Sequence, residues 1–150
     1  MRRRAQVGLI SSAALASALC FGTPVEAEPP AGTEQGSIAI ELNKLEPQGR
    51  QCGAYFVINN TNSTNYETFK LDLVLFRSDG VIGRRFAIDL APIKSNKRTV
   101  KLFELADTAC DEVGSFLINE VMECKGDSGP ATDCLKDIAV SSLTKVQLTK

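Results

Sequence analysis

The chain has 150 residues, 43% of them hydrophobic, a formal net charge of −1 and no histidine. Without histidine the commonest general base and the commonest metal ligand are both missing, so the chain is not expected to be an enzyme, and no cofactor or metal is assigned. The charge is too small and too mixed to point to nucleic acid or an anionic membrane as a partner.

Residues 1–27 read as a cleaved signal peptide. Arg2, Arg3 and Arg4 form a basic start, Val7 to Phe21 an apolar run, and Val25-Glu26-Ala27 the site a signal peptidase reads, with cleavage after Ala27. The run is about 15 residues where a spanning helix needs roughly 20, so no stable membrane insertion is expected after cleavage. Cys20 follows Leu19, where lipid attachment wants a small side chain. The arginine run leaves the Sec and Tat export routes both open. Cleavage removes three Arg and one Glu and leaves the mature chain at a net −3.

Residues 28–36 (EPPAGTEQG) mix Pro, Gly and polar residues with no apolar period and read as a flexible linker. One folded domain is expected over residues 37–150. Ser37 to Leu45 alternates Ile38, Ile40 and Leu42 with Ala39, Glu41 and Asn43, a first strand ended by Glu46-Pro47-Gln48-Gly49. Gln51 to Asn59 places Cys52, Ala54, Phe56 and Ile58 on one face and Tyr55 and Val57 on the other. Apolar residues on both faces predict a central strand. Asn59 to Asn65 is a polar loop, and its two Asn-x-Ser/Thr sequons are read as turn residues rather than glycan sites.

The stretch from Thr68 to Leu90 states its structure most plainly. Phe69, Leu71, Leu73 and Leu75 alternate with Lys70 and Asp72, the period of a half-buried strand. Asp79-Gly80 predicts a tight type I′ turn, and Ile82, Phe86, Ile88 and Leu90 resume the alternation, which makes a β-hairpin. After a polar connection through Lys97, Thr99 to Leu105 gives a fifth strand, with Val100 and Leu102 expected inward and Phe103 and Leu105 competing for that side.

Asp111 to Glu123 fits two patterns. Val113, Phe116, Leu117, Glu120 and Val121 match a helical stripe, whereas Phe116-Leu117-Ile118 after Gly114 and Ser115 fits a short buried strand. The strand is favoured, because the five strands before it need a partner of that length. Cys124 to Cys134 is a Gly/Pro/Asp loop, with a turn of helix expected at Cys134 to Lys136. Ile138 to Leu148 supplies one last strand or two short ones. Short strands separated by turn signals predict an all-β chain, an antiparallel β-sandwich of about seven strands.

Export leaves Cys52, Cys110, Cys124 and Cys134, an even number in an oxidising compartment, and so two disulfides. Cys124 with Cys134 closes a short loop whose Gly126, Gly129 and Pro130 let the chain double back, which leaves Cys52 with Cys110 as the favoured long bridge. Neither gap suits a zinc site, and no C-x-x-C redox motif is present.

Other candidates read as surface or loop residues. Asp111, Glu112, Glu120 and Glu123 form the only dense carboxylates and suit a solvated face better than glycoside chemistry. Asp127 and Asp133 lack the regular ligand alternation of an EF-hand, and Ser128 has no histidine to activate it. Arg84, Arg85, Lys97, Arg98 and Lys101 form a possible basic strip for docking an acidic partner. Edge-strand charge that blocks unwanted sheet pairing is the plainer use of the same residues.

The segment Cys52 to Asn59, then Leu71 to Phe76 with Asp79 to Ile82 and Arg84-Arg85, then Cys110 to Gly114 with Leu117 to Asn119, and finally Cys124 and Cys134, resembles a group of small exported proteins of alphaproteobacteria. Members are often labelled Tat-pathway signal proteins. The resemblance implies periplasmic residence and an immunoglobulin-like sandwich, and it carries over no activity or binding site. The expected function is a non-enzymatic interaction module that binds an envelope protein through a face or an exposed edge strand. The alternative is a small-ligand binder or a carboxylate-based hydrolase.

Overall fold

The computed structural model describes residues 36–131 and 133–150. The expected leader and residues 28–35 of the linker lie outside the described residues. Within them the fold is all-β, with nine strands: β1 (Ile38–Gln48), β2 (Gln51–Asn60), β3 (Tyr66–Arg77), β4 (Ile82–Asp89), β5 (Lys97–Leu105), β6 (Val113–Gly126), β7 (Gly129–Pro130), β8 (Ile138–Ser142) and β9 (Gln147–Thr149). One sheet has the order β5-β2-β1-β8. The other runs β4-β3-β6, with the short β7 and β9 both paired to β6. The expected antiparallel sandwich is present, with one difference: β8 pairs with β1, and β9 with β6, in parallel.

β1 buries Ile38, Ile40 and Leu42, and a bulge at Asn43 then shifts its register so that Leu45 packs against the same core. The strand runs on through Pro47 to Gln48, further than its sequence suggested. β8 pairs only with Ile38 to Leu42, so Pro47 lies where β1 has a single neighbour and its missing N–H interrupts no second ladder. Gly49, at φ 66°, and Arg50 make the turn into β2. As expected, β2 is central, with β1 on one side and β5 on the other.

The β3–β4 hairpin buries Phe69, Leu71, Leu73 and Leu75 on its inner face. Its turn is not type I′. Gly80 N donates to Arg77 O and Arg77 N donates to Val81 O, each at 2.8 Å, which closes a three-residue loop, Ser78-Asp79-Gly80. Only Gly80 is left-handed (φ 81°), whereas a type I′ turn needs that conformation at both central residues. Ile82 is therefore exposed next to the loop, and inward packing of β4 begins at Phe86 and Ile88.

β6 settles the ambiguous stretch as a strand, preceded by one 3₁₀ turn at Cys110–Glu112. Its register against β3 slips at Gly114, Asn119 and Met122, where an extra residue stands in β6. Each slip lengthens the spacing of inward residues, so Val113, Phe116, Ile118, Val121 and Cys124 turn to the core at intervals of two and three. That mixture imitates a helical stripe. The residues expected to form a helical turn, Cys134 to Lys136, form hydrogen-bonded turns in which Lys136 N reaches Asp133 O and Asp137 N reaches Cys134 O.

The sheets meet over a continuous core of buried apolar side chains. Phe56 of β2 stands edge-on to Phe116 of β6 (6.1 Å) across the sandwich and to Phe103 of β5 (5.9 Å) beside it. Disulfides join Cys52 to Cys110 and Cys124 to Cys134, the favoured pairing. The first ties β2 to the turn before β6; the second ties the end of β6 to the turn before β8. Bridges of this kind form in oxidising compartments, so the chain matures outside the reducing cytosol. Among the described residues no helix is long and apolar enough to cross a membrane.

Candidate functional site

The side of the sandwich made by β4 and β5 gathers four of the five residues of the basic strip. β5 is the outer strand of its sheet: it pairs with β2 from Asn60↔Lys97 to Cys52↔Leu105, and among the described residues no strand pairs with its other edge. The register sets Thr99, Lys101, Phe103 and Leu105 opposite Ile58, Phe56, Ala54 and Cys52, on the inner face. Arg98, Val100, Leu102 and Glu104 face outward. This reverses the inward placement expected for Val100 and Leu102. Phe103 and Leu105 take the inner side because a ring there packs edge-on against Phe56 and Leu105 is buried beside Cys52. Val100 and Leu102 are left 60% and 42% exposed, beside Tyr55 and the buried Val57 of β2.

The five residues of the basic strip do not act as one set. Arg84 lies on the β5 side: its Nη1 donates to Ala106 O at 2.8 Å, just beyond the end of β5, and its guanidinium covers the Phe86 ring. Lys101, half-buried at the middle of β5, donates from Nζ to Ala91 O at 2.7 Å. Lys97 and Arg98 are exposed at the strand's start, and Arg98 reaches Glu41 only at 3.8 Å. Arg85 departs from the set, because successive strand residues point to opposite faces. Its Nε donates to Asp72 Oδ1 at 2.7 Å and its Nη2 to Glu120 Oε1 at 3.3 Å, on the outer face of the other sheet.

Charge pairing is uneven over the described residues: Arg98 has its 3.8 Å pair with Glu41, and Arg50, Lys94 and Lys145, outside β5, have none. Lys44, Lys70, Arg77, Arg85, Lys125 and Lys136 each sit within ion-pair distance of a carboxylate. Arg84, Lys97 and Lys101 form no ion pair among the described residues; Arg84 and Lys101 instead bond carbonyl oxygens. Cations without carboxylates thus stand at both ends and the middle of an open strand edge.

Of the carboxylates singled out by the sequence, the exposed Asp111 has no side-chain partner among the described residues, and the others have partners elsewhere. Glu120 binds Arg85, Glu123 binds Lys70 at 2.7 Å, and Asp133 binds Lys136. Asp127 accepts the Asn65 side-chain amide at 2.7 Å, and that bond holds its carboxyl below the usual range. Glu112 accepts its own turn's Ala109 N–H. Glu120, Glu123 and Asp133 do border a surface groove of about 330 Å³ beside the Cys124–Cys134 bridge, with Val121, Met122 and Leu135. Ser128 lies in the β6–β7 turn.

Sequence reading missed one network. Asp72 is almost fully buried although it lies on the outer face of β3, where Arg85 and Asn119 Nδ2 (2.8 Å) each take one carboxylate oxygen. The Arg85 hydrogen bond is the main reason its carboxyl sits below the ordinary range, against the opposing effect of burial. The signal was present: the hairpin sets Arg85 diagonally across from Asp72, within reach of a long side chain.

No family model matches the chain, and no curated protein matches it in sequence. A solved structure of IrmA from Escherichia coli is similar in fold, with a TM-score of 0.50 at 14% identity, over 71% of this chain and 92% of that one.

Proposed function

We propose that the chain is a non-enzymatic protein-binding module of the periplasm, immunoglobulin-like in its sandwich, which engages an envelope protein along β5. One observation carries the reading: a strand edge that is unpaired among the described residues, bearing two outward aliphatic side chains and, in Arg84, Lys97 and Lys101, cations that no described carboxylate neutralises. Open sheet edges supply main-chain hydrogen bonds to a partner, and the flanking side chains supply selectivity. The continuous buried core and the ion pairs on Glu120, Glu123 and Asp133 count against the small-ligand and hydrolase alternatives. Two disulfides suit a periplasmic address, and the resemblance to small exported alphaproteobacterial proteins supports it.

The test is site-specific photo-crosslinking in intact cells, with the reactive group at Val100 or, as a control on the other sheet, at the exposed Met122. Capture of one defined envelope protein from position 100, lost on Lys97→Glu, is the expected result. No adduct from position 100, or the same adducts from both positions, would sink the reading. Cell fractionation with thiol alkylation checks the address: the chain is expected in the periplasmic fraction with all four cysteines blocked.

A further inference from the structure

We propose that β5 also pairs with β5 of a second copy, antiparallel and centred on Lys101, joining two four-stranded sheets into one. This rests on the reading of β5 as the docking edge, and it makes a second copy a competitor of the envelope partner for that edge.

The argument is the order of residues along the strand. Outward-facing Arg98, Val100, Leu102 and Glu104 are arranged so that a two-fold axis at Lys101 sets Arg98 against Glu104 and Val100 against Leu102, each contact occurring twice. Such an interface is isologous and closes at two copies. Cross-strand pairs of opposite charge and of aliphatic side chains are the contacts that stabilise a sheet. Glu104 has no ion pair among the described residues, and Arg98 has only the 3.8 Å contact with Glu41, so both are available.

Other registers that preserve the faces do worse. Centring on Val100 sets Arg98 against Leu102, and centring on Leu102 sets Glu104 against Val100. A parallel, in-register pairing opposes like with like at every position. Alternate residues of an outer strand turn both N–H and C=O to the free edge, so the two-fold arrangement supplies main-chain partners whichever alternate set is free.

Lys101 is the one residue the pairing opposes to itself. Its Nζ is held by Ala91 O at 2.7 Å, which moderates the repulsion without removing it. An inward lysine on an outer strand is a known guard against sheet-to-sheet pairing. Here it keeps the dimer weak, reversible and dependent on salt.

Sedimentation velocity over a concentration series, on the chain purified from the periplasm with its disulfides intact, tests this. The expected result is a monomer–dimer equilibrium with these responses. Reversal by Arg98→Glu or Glu104→Arg acts on two symmetric pairs and weakens association by about tenfold to thirtyfold. The double variant with both reversals restores it to within about threefold, and Lys101→Thr strengthens it by about tenfold. Arg98 and Glu104 are exposed, so reversal leaves the core untouched, and far-UV circular dichroism verifies the fold. A monomer at every concentration overturns the proposal, as does a dimer insensitive to either reversal or one not rescued by the double variant. Partner capture from position 100 by a strictly monomeric chain would remove the self-pairing and leave the protein-binding reading standing. A dimer with the expected responses but no captured partner would do the opposite.

Discussion

Replacing Cys52 and Cys110 together by alanine opens a crosslink across 58 residues, whereas the same change at Cys124 and Cys134 opens one across 10. A crosslink restricts the denatured chain more when it ties distant residues. On the loop-entropy relation the long bridge stabilises the fold by about 4 kcal/mol and the short one by about 2.7 kcal/mol. Against a typical stability of about 5–15 kcal/mol for a domain, either loss is large and the first approaches unfolding. Guanidinium unfolding followed by far-UV circular dichroism measures both. With a slope of about 3 kcal/mol/M, the midpoints are expected to fall by about 1.4 M and 0.9 M. Each bridge joins a buried cysteine (Cys52, Cys134) to a half-buried one (Cys110, Cys124), so packing losses are similar and the difference is left to loop length. Equal costs, or a larger cost for the short bridge, would refute the loop-entropy reasoning and place the stabilisation in native packing.

Three further outcomes are expected. Phe116→Ala removes the ring that meets Phe56 across the sandwich and costs about 3–5 kcal/mol by chemical denaturation; a cost under about 1 kcal/mol would mean that the sheets are not locked there. Asp72 has a folded-state value below its ordinary one, so its ionised form stabilises the fold at neutral pH, and that contribution is lost as pH falls from the ordinary carboxylate range through the depressed value. Asp72→Asn is therefore expected to be less stable than the parent at neutral pH, with the gap closing in acid; a gap constant with pH would show that the ion pair contributes nothing. At Gly114 an added Cβ would collide with Arg77 O, a backbone atom, so Gly114→Ala is expected to cost about 1–3 kcal/mol and to lower Tm in a thermal melt. An unchanged melt would show that β3 and β6 can part at that bulge.

The candidate site was partly legible. Arg84, Lys97, Arg98 and Lys101 were singled out by charge alone, and all four stand along the β5 side. Arg85 could not be separated from Arg84 by composition, because its role depends on the carboxylate across the hairpin. The outward exposure of Val100 and Leu102, which gives the edge its apolar character, was read in the opposite sense.

Period-two alternation fixed β1, β2 and the β3–β4 hairpin, because in a half-buried strand the burial pattern is written residue by residue. Loop length and Gly/Pro content sufficed for the disulfide pairing, since a short crosslink needs only local flexibility. What needed the tertiary structure involved a choice between two apolar sets or an irregular ladder. TVKLFEL has apolar residues on both faces, and only the register against β2, with Phe103 meeting Phe56, selects the inner one. In β6 the bulges stretch the period of two toward that of a helix, and only the partner strand shows which residues are extra. The parallel closing strands also had no local signature, because a strand's direction relative to its neighbour is a property of the path between them.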